Sequence, residues 1–349
     1  MTTPAVLRVS NISKTYHLGG ALLSPPGVTR QTSLTALDGI TLELRAGEIL
    51  ALVGESGSGK STLAKILVGS VAASAGELDY CGKALPAKRT RDATRRIQMV
   101  FQDPYSSLNP RLTVGAILAE LLRLHKIVPR NQVRAESIRL LNLVGMQEEA
   151  LDAYPSQFSG GQRQRIAIAR ALAVRPDVLI ADEPVSALDV SVQATILDLF
   201  TTLRLELGLS ILFVAHNLAV VQHLSQRVAV MYLGRIVELA ETEELFANPR
   251  HPYTRALIDS IPRMSAASVN RELVLEGEPP SPFDIPRGCR FHPRCAVAVE
   301  ACRQNDPSLK TVAFEHESAC LKAVDLGEFA PLTAPLTPSP VPATYQEEK

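Results

Sequence analysis

Gly54, Glu55, Ser56, Gly57, Ser58, Gly59, Lys60 and Ser61 carry the spacing of a glycine-rich loop that ends in Lys-Ser. Such a loop cradles an anionic phosphate chain. Its glycines let backbone N–H groups turn inward, Lys60 reaches the β- and γ-phosphates, and the Ser61 hydroxyl ligates Mg²⁺. Thr62 follows directly and is grouped with the nucleotide contacts. A carboxylate pair, Asp182 and Glu183, closes the apolar run Val178-Leu179-Ile180-Ala181. ATP hydrolysis needs a metal anchor, an oriented water and charge compensation on the transferred phosphoryl group. Asp182 is suited to hold the Mg²⁺ shell, directly or through water, and Glu183 to orient or deprotonate the attacking water. His216 follows another apolar run, at the edge where α/β sheets bind ligands. A further group, Phe158-Ser159-Gly160-Gly161-Gln162, opens a helical stretch running to residue 173. A serine hydroxyl and free backbone amides at a helix start form an anion site without a lysine.

These groups need a scaffold, and the apolar periodicity supplies one. Residues 48–53 read as a short buried strand and 61–68 as the helix after it, so the helix dipole adds its positive end to the phosphate loop. Residues 97–101 read as a strand ending at Gln102, 178–181 as another, 192–207 as a helix and 211–215 as a third strand. A strand at 228–232 precedes a hairpin turn at Gly234. Strands alternating with helices imply a mostly parallel, layered α/β core. Upstream, 6–16 and 34–44 alternate like strands, and the Gly-, Pro- and Ser-rich stretch 17–33 between them reads as a surface loop. From 103 to 153 the pattern turns helical, with apolar residues at helical spacing in 114–124 and 137–144. That is a helical insertion in the α/β core. Residues 251–261 read as a short helix, and 331–349, dominated by Pro, Thr and Ala, as a disordered tail. No internal repeat is evident.

The chain has 349 residues, enough for one large domain with an appendage or for two domains. No apolar run approaches the ~20 residues of a spanning helix, and no charged-then-apolar leader opens the sequence. Both features lead to the expectation of a cytoplasmic chain. Its 36 basic and 36 acidic residues balance, which argues against a polyanion binder and makes nucleic acid a poor partner.

The loop at 54–61, the Phe158–Gln162 motif and the Asp182–Glu183 pair together make the chain resemble the ATP-binding-cassette (ABC) ATPases. The resemblance covers roughly residues 6–325. It implies a RecA-like layered α/β core with an antiparallel β subdomain over 1–245, a helical subdomain at about 103–165, a C-terminal extension over 246–330 and the tail. It also implies roles. Asp182 becomes the Walker B aspartate, Glu183 the catalytic glutamate, and His216 the switch histidine that contacts the γ-phosphate. Gln102 becomes the Q-loop glutamine, which senses Mg²⁺ and the attacking water and couples to a membrane partner. Tyr16 becomes the aromatic that stacks on adenine. Ser186-Ala187-Leu188-Asp189 matches the D-loop, and Ser159–Gln162 closes over ATP held by another cassette, so that ATP is sandwiched between two subunits. The signature opens with Phe158 where leucine is commoner. The stretches 101–111, 154–159 and 248–254 further resemble the peptide/nickel importer subfamily, and the loop after Tyr16 its second, F-type ATPase. The implied partners are a paired ATPase subunit, identical or not, two membrane permeases and, indirectly, an extracytoplasmic solute-binding protein, at the cytoplasmic face of the membrane.

Of five cysteines, Cys81 stands alone, while Cys289, Cys295, Cys302 and Cys320 crowd together, separated by five, six and seventeen residues. No Cys-x-x-Cys pair occurs, which weakens a structural zinc site. Four thiolates are the normal ligand set of a [4Fe–4S] cluster. The wording Cys-Arg-Phe-His-Pro-Arg-Cys is that of resembling subfamily members that carry one. A cluster, zinc (with His292 and His316 as substitute ligands) and reduced unligated thiols stay open from the sequence.

Overall fold

A computed structural model describes residues 4–18, 32–261 and 277–323. Of the loop expected at 17–33, residues 19–31 lie outside the described residues, as does the tail at 331–349, while 17–18 and 32–33 prolong the flanking strands instead. The chain opens with two long strands, β1 (Ala5–Leu18) and β2 (Thr32–Arg45), then β3 (Ile49–Val53) and α1 (Lys60–Leu67). Next come β4 (Ala75–Tyr80), the short β5 (Lys83–Ala84), α2 (Arg91–Arg96) and β6 (Ile97–Val100). A helical section follows: α3 (Pro104–Ser107), α4 (Val114–Leu124), α5 (Val133–Leu143) and α6 (Gly160–Leu172). Strands then alternate with helices through β7 (Val178–Asp182), α7 (Val190–Leu207), β8 (Ser210–Ala215), α8 (Leu218–Val221) and β9 (Arg227–Tyr232). The last elements are β10 (Arg235–Glu241), α9 (Thr242–Ala247), α10 (Pro252–Asp259), α11 (Glu300–Gln304), β11 (Lys310–Ala313) and β12 (His316–Ser318).

These strands form two sheets. One is antiparallel, in the order β2-β1-β4-β5; the other runs β11-β12-β10-β9-β3-β8-β7-β6, with β9-β3-β8-β7-β6 parallel. The central strands β3, β7, β8 and β9 are buried at every residue. Parallel strands covered on both faces read as continuous apolar runs, which is how the sequence shows them. Alternation across each strand then divides the core in two. Ile49, Ala51 and Val53 of β3 face the side that holds Leu118, Leu141 and Ile168 of α4, α5 and α6. Leu50 and Leu52 face Leu37 and Leu42 of β2 and Leu63 and Leu67 of α1. The antiparallel sheet and the helical section therefore pack on opposite faces of one parallel sheet.

Local chemistry sets the helix starts. The Thr113 hydroxyl accepts from Ala116 N at 3.2 Å to cap α4. Ser159 and Gln162 form a capping box at the start of α6, Ser159 Oγ accepting from Gln162 N (3.3 Å) and Gln162 Oε1 from Ser159 N (2.9 Å). Arg163 in the same turn is buried and donates to Pro155 O (2.7 Å) and Ser156 O (3.0 Å), tying α6 to the segment that leads into it. The C-terminal segment joins the main sheet: β12 pairs antiparallel with β10, and β11 with β12. No helix of the described residues is long and apolar enough to cross a membrane.

Candidate functional site

The candidate residues gather at the C-terminal ends of neighbouring parallel strands, where open α/β sheets bind ligands. The 54–59 loop leaves β3, Asp182 ends β7, His216 follows β8 and Gln102 lies just past β6. Register fixes their proximity, since Val53 pairs with Ala215 and Asp182 with Val214.

The loop wraps the start of α1. Gly59 caps that helix in a left-handed conformation (φ 108°), and a Cβ there would come within 2.5 Å of Ala36 O. Only glycine meets both demands. Gly54 is as constrained from the other side, because a Cβ would stand 2.1 Å from Met231 O in β9. Lys60 is buried and donates to Gly54 O (2.8 Å) and Glu55 O (2.9 Å), so its ammonium sits inside the loop. Burial pushes its pKa down, opposed by the charges of Glu183, Asp182 and Glu55. The Ser58 hydroxyl is buried with no hydrogen-bond partner among the described residues, an orphaned polar atom in the wall of the loop.

Across the strand ends, Ser61 Oγ donates to Asp182 Oδ1 at 3.0 Å. Burial raises the Asp182 carboxyl, the Ser61 hydrogen bond opposing it and the neighbouring Glu183 charge adding to it. A hydroxyl and a carboxylate in contact form a hard oxygen pair suited to Mg²⁺. Glu183 lies within reach of three partners: Gln102 Nε2 donates to it at 3.1 Å, His216 Nδ1 is 3.6 Å away, and Lys60 Nζ is 3.9 Å away. Its backbone is left-handed (φ 46°), a conformation that costs a non-glycine residue about 1–3 kcal/mol. Hydrogen bonds on both sides hold it there, Glu183 N donating to Val214 O (3.0 Å) and Ser186 Oγ donating to Glu183 O (3.0 Å). A cavity of about 70 Å³ opens beside Glu183 and His216, also lined by Ser186, Gln193 and Asn217.

Lys60, Ser61, Gln102, Asp182, Glu183 and His216 thus come together in one chain. Three other expected contributors stand apart. Ser159 and Gln162 hydrogen-bond to each other, and Gly161 lies where a Cβ would meet Val192 Cγ1 of α7 at 2.4 Å. Asp189 is exposed at the start of α7 with no side-chain cap bond. Tyr16 lies on β1 of the antiparallel sheet, with Lys14 Nζ 4.9 Å from its ring centroid.

Two residues that the sequence did not mark as site residues also reach the loop. Tyr253 Oη accepts from Glu55 N at 2.9 Å, and Arg294 forks onto the Glu55 carboxylate at 2.8 and 3.0 Å. Each lies in a stretch the sequence had singled out, Tyr253 in 248–254 and Arg294 between Cys289 and Cys295, but for family likeness and for the cysteines, with no pointer to Glu55.

Those cysteines are free thiols. Cys289, Cys295, Cys302 and Cys320 line one cavity of about 20 Å³, with His251, Phe291 and His292 in its wall. Burial pushes the Cys289 and Cys295 thiols up, and Cys320 up to about 12. The donor set suits a thiophilic metal. As positioned, though, no three His, Cys, Asp or Glu side chains among the described residues stand in a metal-holding arrangement.

Known proteins resemble this chain over most of its length. Residues 37–186 match the ABC transporter family, and residues 237–302 the oligopeptide/dipeptide transporter C-terminal region. A probable peptide ABC transporter ATP-binding protein of Sinorhizobium fredii is 47% identical over 319 residues, covering 90% of this chain and 89% of that protein. The dipeptide transport ATP-binding protein DppF of Haemophilus influenzae is 46% identical, covering 87% of this chain and 93% of its own length. The oligopeptide transport ATP-binding protein OppF of Salmonella typhimurium is 48% identical, with 83% and 88% covered. Among solved structures, the dimeric cassette MJ0796 in a post-hydrolysis state with ADP and Pi superposes with a TM-score of 0.58 at 27% identity, covering 68% of this chain and 98% of that one. The chain belongs to the ABC transporter ATP-binding proteins and is an ATPase. Within that class its C-terminal region is of the oligopeptide/dipeptide transporter type.

Proposed function

We propose that this chain is the ATP-hydrolysing motor of a peptide importer, acting on di- or oligopeptides through two membrane permeases at the cytoplasmic face of the membrane. A solute-binding protein outside the membrane delivers the cargo. The observation that carries the motor role is the meeting of Lys60, Ser61, Asp182, Glu183, Gln102 and His216 at adjacent strand ends. Relatives named for peptide and dipeptide transport support the cargo class.

In the proposed mechanism the ATP phosphates enter the 54–59 loop, and Lys60 exchanges its bonds to the Gly54 and Glu55 carbonyls for phosphate oxygens. Ser61 and Asp182 would hold Mg²⁺, which would supply charge neutralisation on the phosphate oxygens. Glu183 orients a water in line with the terminal phosphate and accepts its proton, with Gln102 fixing the carboxylate by its amide. His216, 3.6 Å from Glu183, serves in this scheme as the contact to the γ-phosphate. Tyr16 stacks on the adenine. Ser159, Gly160, Gly161 and Gln162, with Asp189, serve a second cassette: the free amides at the start of α6 meet the γ-phosphate bound by the partner. The boundaries that go with this scheme are an ATPase domain over 1–245 with its helical subdomain near 103–165, followed by the extension over 246–330.

The four C-terminal cysteines are proposed to hold a [4Fe–4S] cluster, with zinc as the alternative. Support comes from their convergence on one cavity. Iron, sulfide and zinc analysis of anaerobically purified protein, with a visible spectrum, separates the two; none of the three leaves reduced thiols.

The test of the main proposal is co-purification with the membrane permeases, followed by ATP-driven uptake of dipeptides, oligopeptides and nickel. Peptide uptake that stops in a Glu183→Gln complex supports it. Nickel uptake without peptide uptake overturns the cargo assignment and keeps the motor.

A further inference from the structure

The phosphate loop is held from outside its own strand–loop–helix unit. Glu55, the second residue of the loop, is bound twice by the C-terminal extension. Its backbone N–H donates to Tyr253 Oη at 2.9 Å, and its carboxylate receives both Nη atoms of Arg294 at 2.8 and 3.0 Å. These contacts span 198 and 239 residues of sequence. The Arg294 side chain is only 5% exposed and Glu55 24%, so the pair is shielded from solvent, and the two-point fork fixes orientation as well as distance. Tyr253 is itself set by a ring cluster, 4.6 Å from Tyr232 and 5.4 Å from Phe291 between centroids. Phe291 and Arg294 both lie between Cys289 and Cys295, on the turn that walls the cysteine cavity.

We propose that Arg294 and Tyr253 are positioning residues for ATP binding: the C-terminal extension holds the phosphate loop in its phosphate-binding shape by clamping Glu55. Lys60 donates to Glu55 O, so before nucleotide arrives the clamped residue also places the ammonium that then passes to the phosphates. Loop residues that are ordered before the nucleotide arrives need not be ordered by it, which lowers the free-energy cost of binding. The clamp therefore acts on affinity. It does not touch Glu183, so turnover at saturation is spared. The proposal rests on the assignment of residues 54–61 as the nucleotide loop.

The experiment measures MgATP binding by calorimetry in the full chain carrying Glu183→Gln, and steady-state hydrolysis in the chain with Glu183 intact. Arg294→Ala, Glu55→Gln, the double variant and Tyr253→Phe are compared, with Arg294→Lys as the conservative control. Arg294→Ala is expected to raise Kd and KM about tenfold, with kcat within about twofold, as befits a lost charge-assisted fork. Glu55→Gln should match it, and the double variant should be no worse than Arg294→Ala, because one interaction is removed in each case. Arg294→Lys, which keeps the charge and loses the fork, should fall between. Tyr253→Phe, which removes one hydroxyl from a retained ring, should raise Kd by a smaller factor and covers the case in which Arg294→Ala fails to fold. Lys60→Ala separates the two levels of the argument. If Lys60→Ala abolishes binding while Arg294→Ala and Glu55→Gln bind MgATP as the parent does and only melt earlier, the contact merely fastens the extension and the proposal is overturned. If Lys60→Ala binds normally, the loop assignment itself has failed.

Discussion

Replacing Glu183 by glutamine tests the chemistry of the site most directly. The carboxylate sits among Gln102 Nε2 (3.1 Å), His216 Nδ1 (3.6 Å) and Lys60 Nζ (3.9 Å), on a backbone turned left-handed and pinned to Val214 and Ser186. Glutamine keeps this shape, and its amide oxygen can still accept from Gln102. What it loses is basicity. A positioned base contributes 10²–10⁴ in rate, which is about 2.7–5.4 kcal/mol of barrier at 1.36 kcal/mol per decade. Binding should respond in the opposite sense. Removing a negative charge beside Lys60 relieves repulsion of the incoming polyphosphate, so Kd for MgATP stays level or tightens. The assay pairs phosphate release at saturating ATP with size-exclusion chromatography in ATP. Turnover should drop into that range, while an ATP-bound dimer accumulates because closure is no longer followed by hydrolysis. Turnover near the wild-type rate would falsify the assignment of Glu183 as the base. Loss of nucleotide binding would show that the carboxylate holds the loop together instead.

Lys60→Ala and Asp182→Asn should each weaken MgATP binding at least about tenfold, since each removes charge complementary to phosphate or metal; calorimetry with unchanged affinity in both counts against the site. Ser159→Arg should leave binding intact and stop hydrolysis, because Ser159 is exposed and its hydroxyl accepts from Gln162 N within its own helix start; full turnover by a demonstrably monomeric sample contradicts the sandwich. His251 is buried and accepts from Tyr253 N through Nδ1, and burial lowers its pKa to about 3. The unfolded chain therefore binds a proton there that the folded chain does not, so the stability is fully present above pH ~6.5 and is lost as pH falls toward the folded value. Between pH ~7.5 and ~5 this one group removes about 2 kcal/mol. His251→Asn, which can keep the cap, should flatten the fall in melting temperature over that range, and an unchanged slope refutes the account.

Much of the parallel core was legible because its signals are local. Buried parallel strands are unbroken apolar runs, so the strands around Leu50, Ile180 and Leu212 stand out. Helix α4 (Val114–Leu124) coincides with the stretch read from helical spacing, and its Thr113 cap sharpens the start. The start of α6 falls at Gly160, inside the segment read as opening that helix, since the capping box of Ser159 and Gln162 admits the two glycines into the helix. The strand before Gln102 ends at Val100, leaving Gln102 free of the ladder to turn toward Glu183.

What the sequence alone determined is the chemistry that depends on fixed local spacing. The loop from Gly54 to Ser61, the Asp182–Glu183 pair at a strand end and the capped start of α6 each need only a few consecutive residues to state their geometry. Which of these groups meet was decided by the tertiary structure. Gln102 and Glu183 touch because β6 lies beside β7, and Lys60 comes within 3.9 Å of Glu183 because β3 and β7 flank β8. Sheet order leaves no periodic trace in the chain. Still less does the arrival of β12 on β10, or of Tyr253 and Arg294 at Glu55. Contacts between residues some 200 positions apart are selected by how the whole core packs, and no local propensity encodes them.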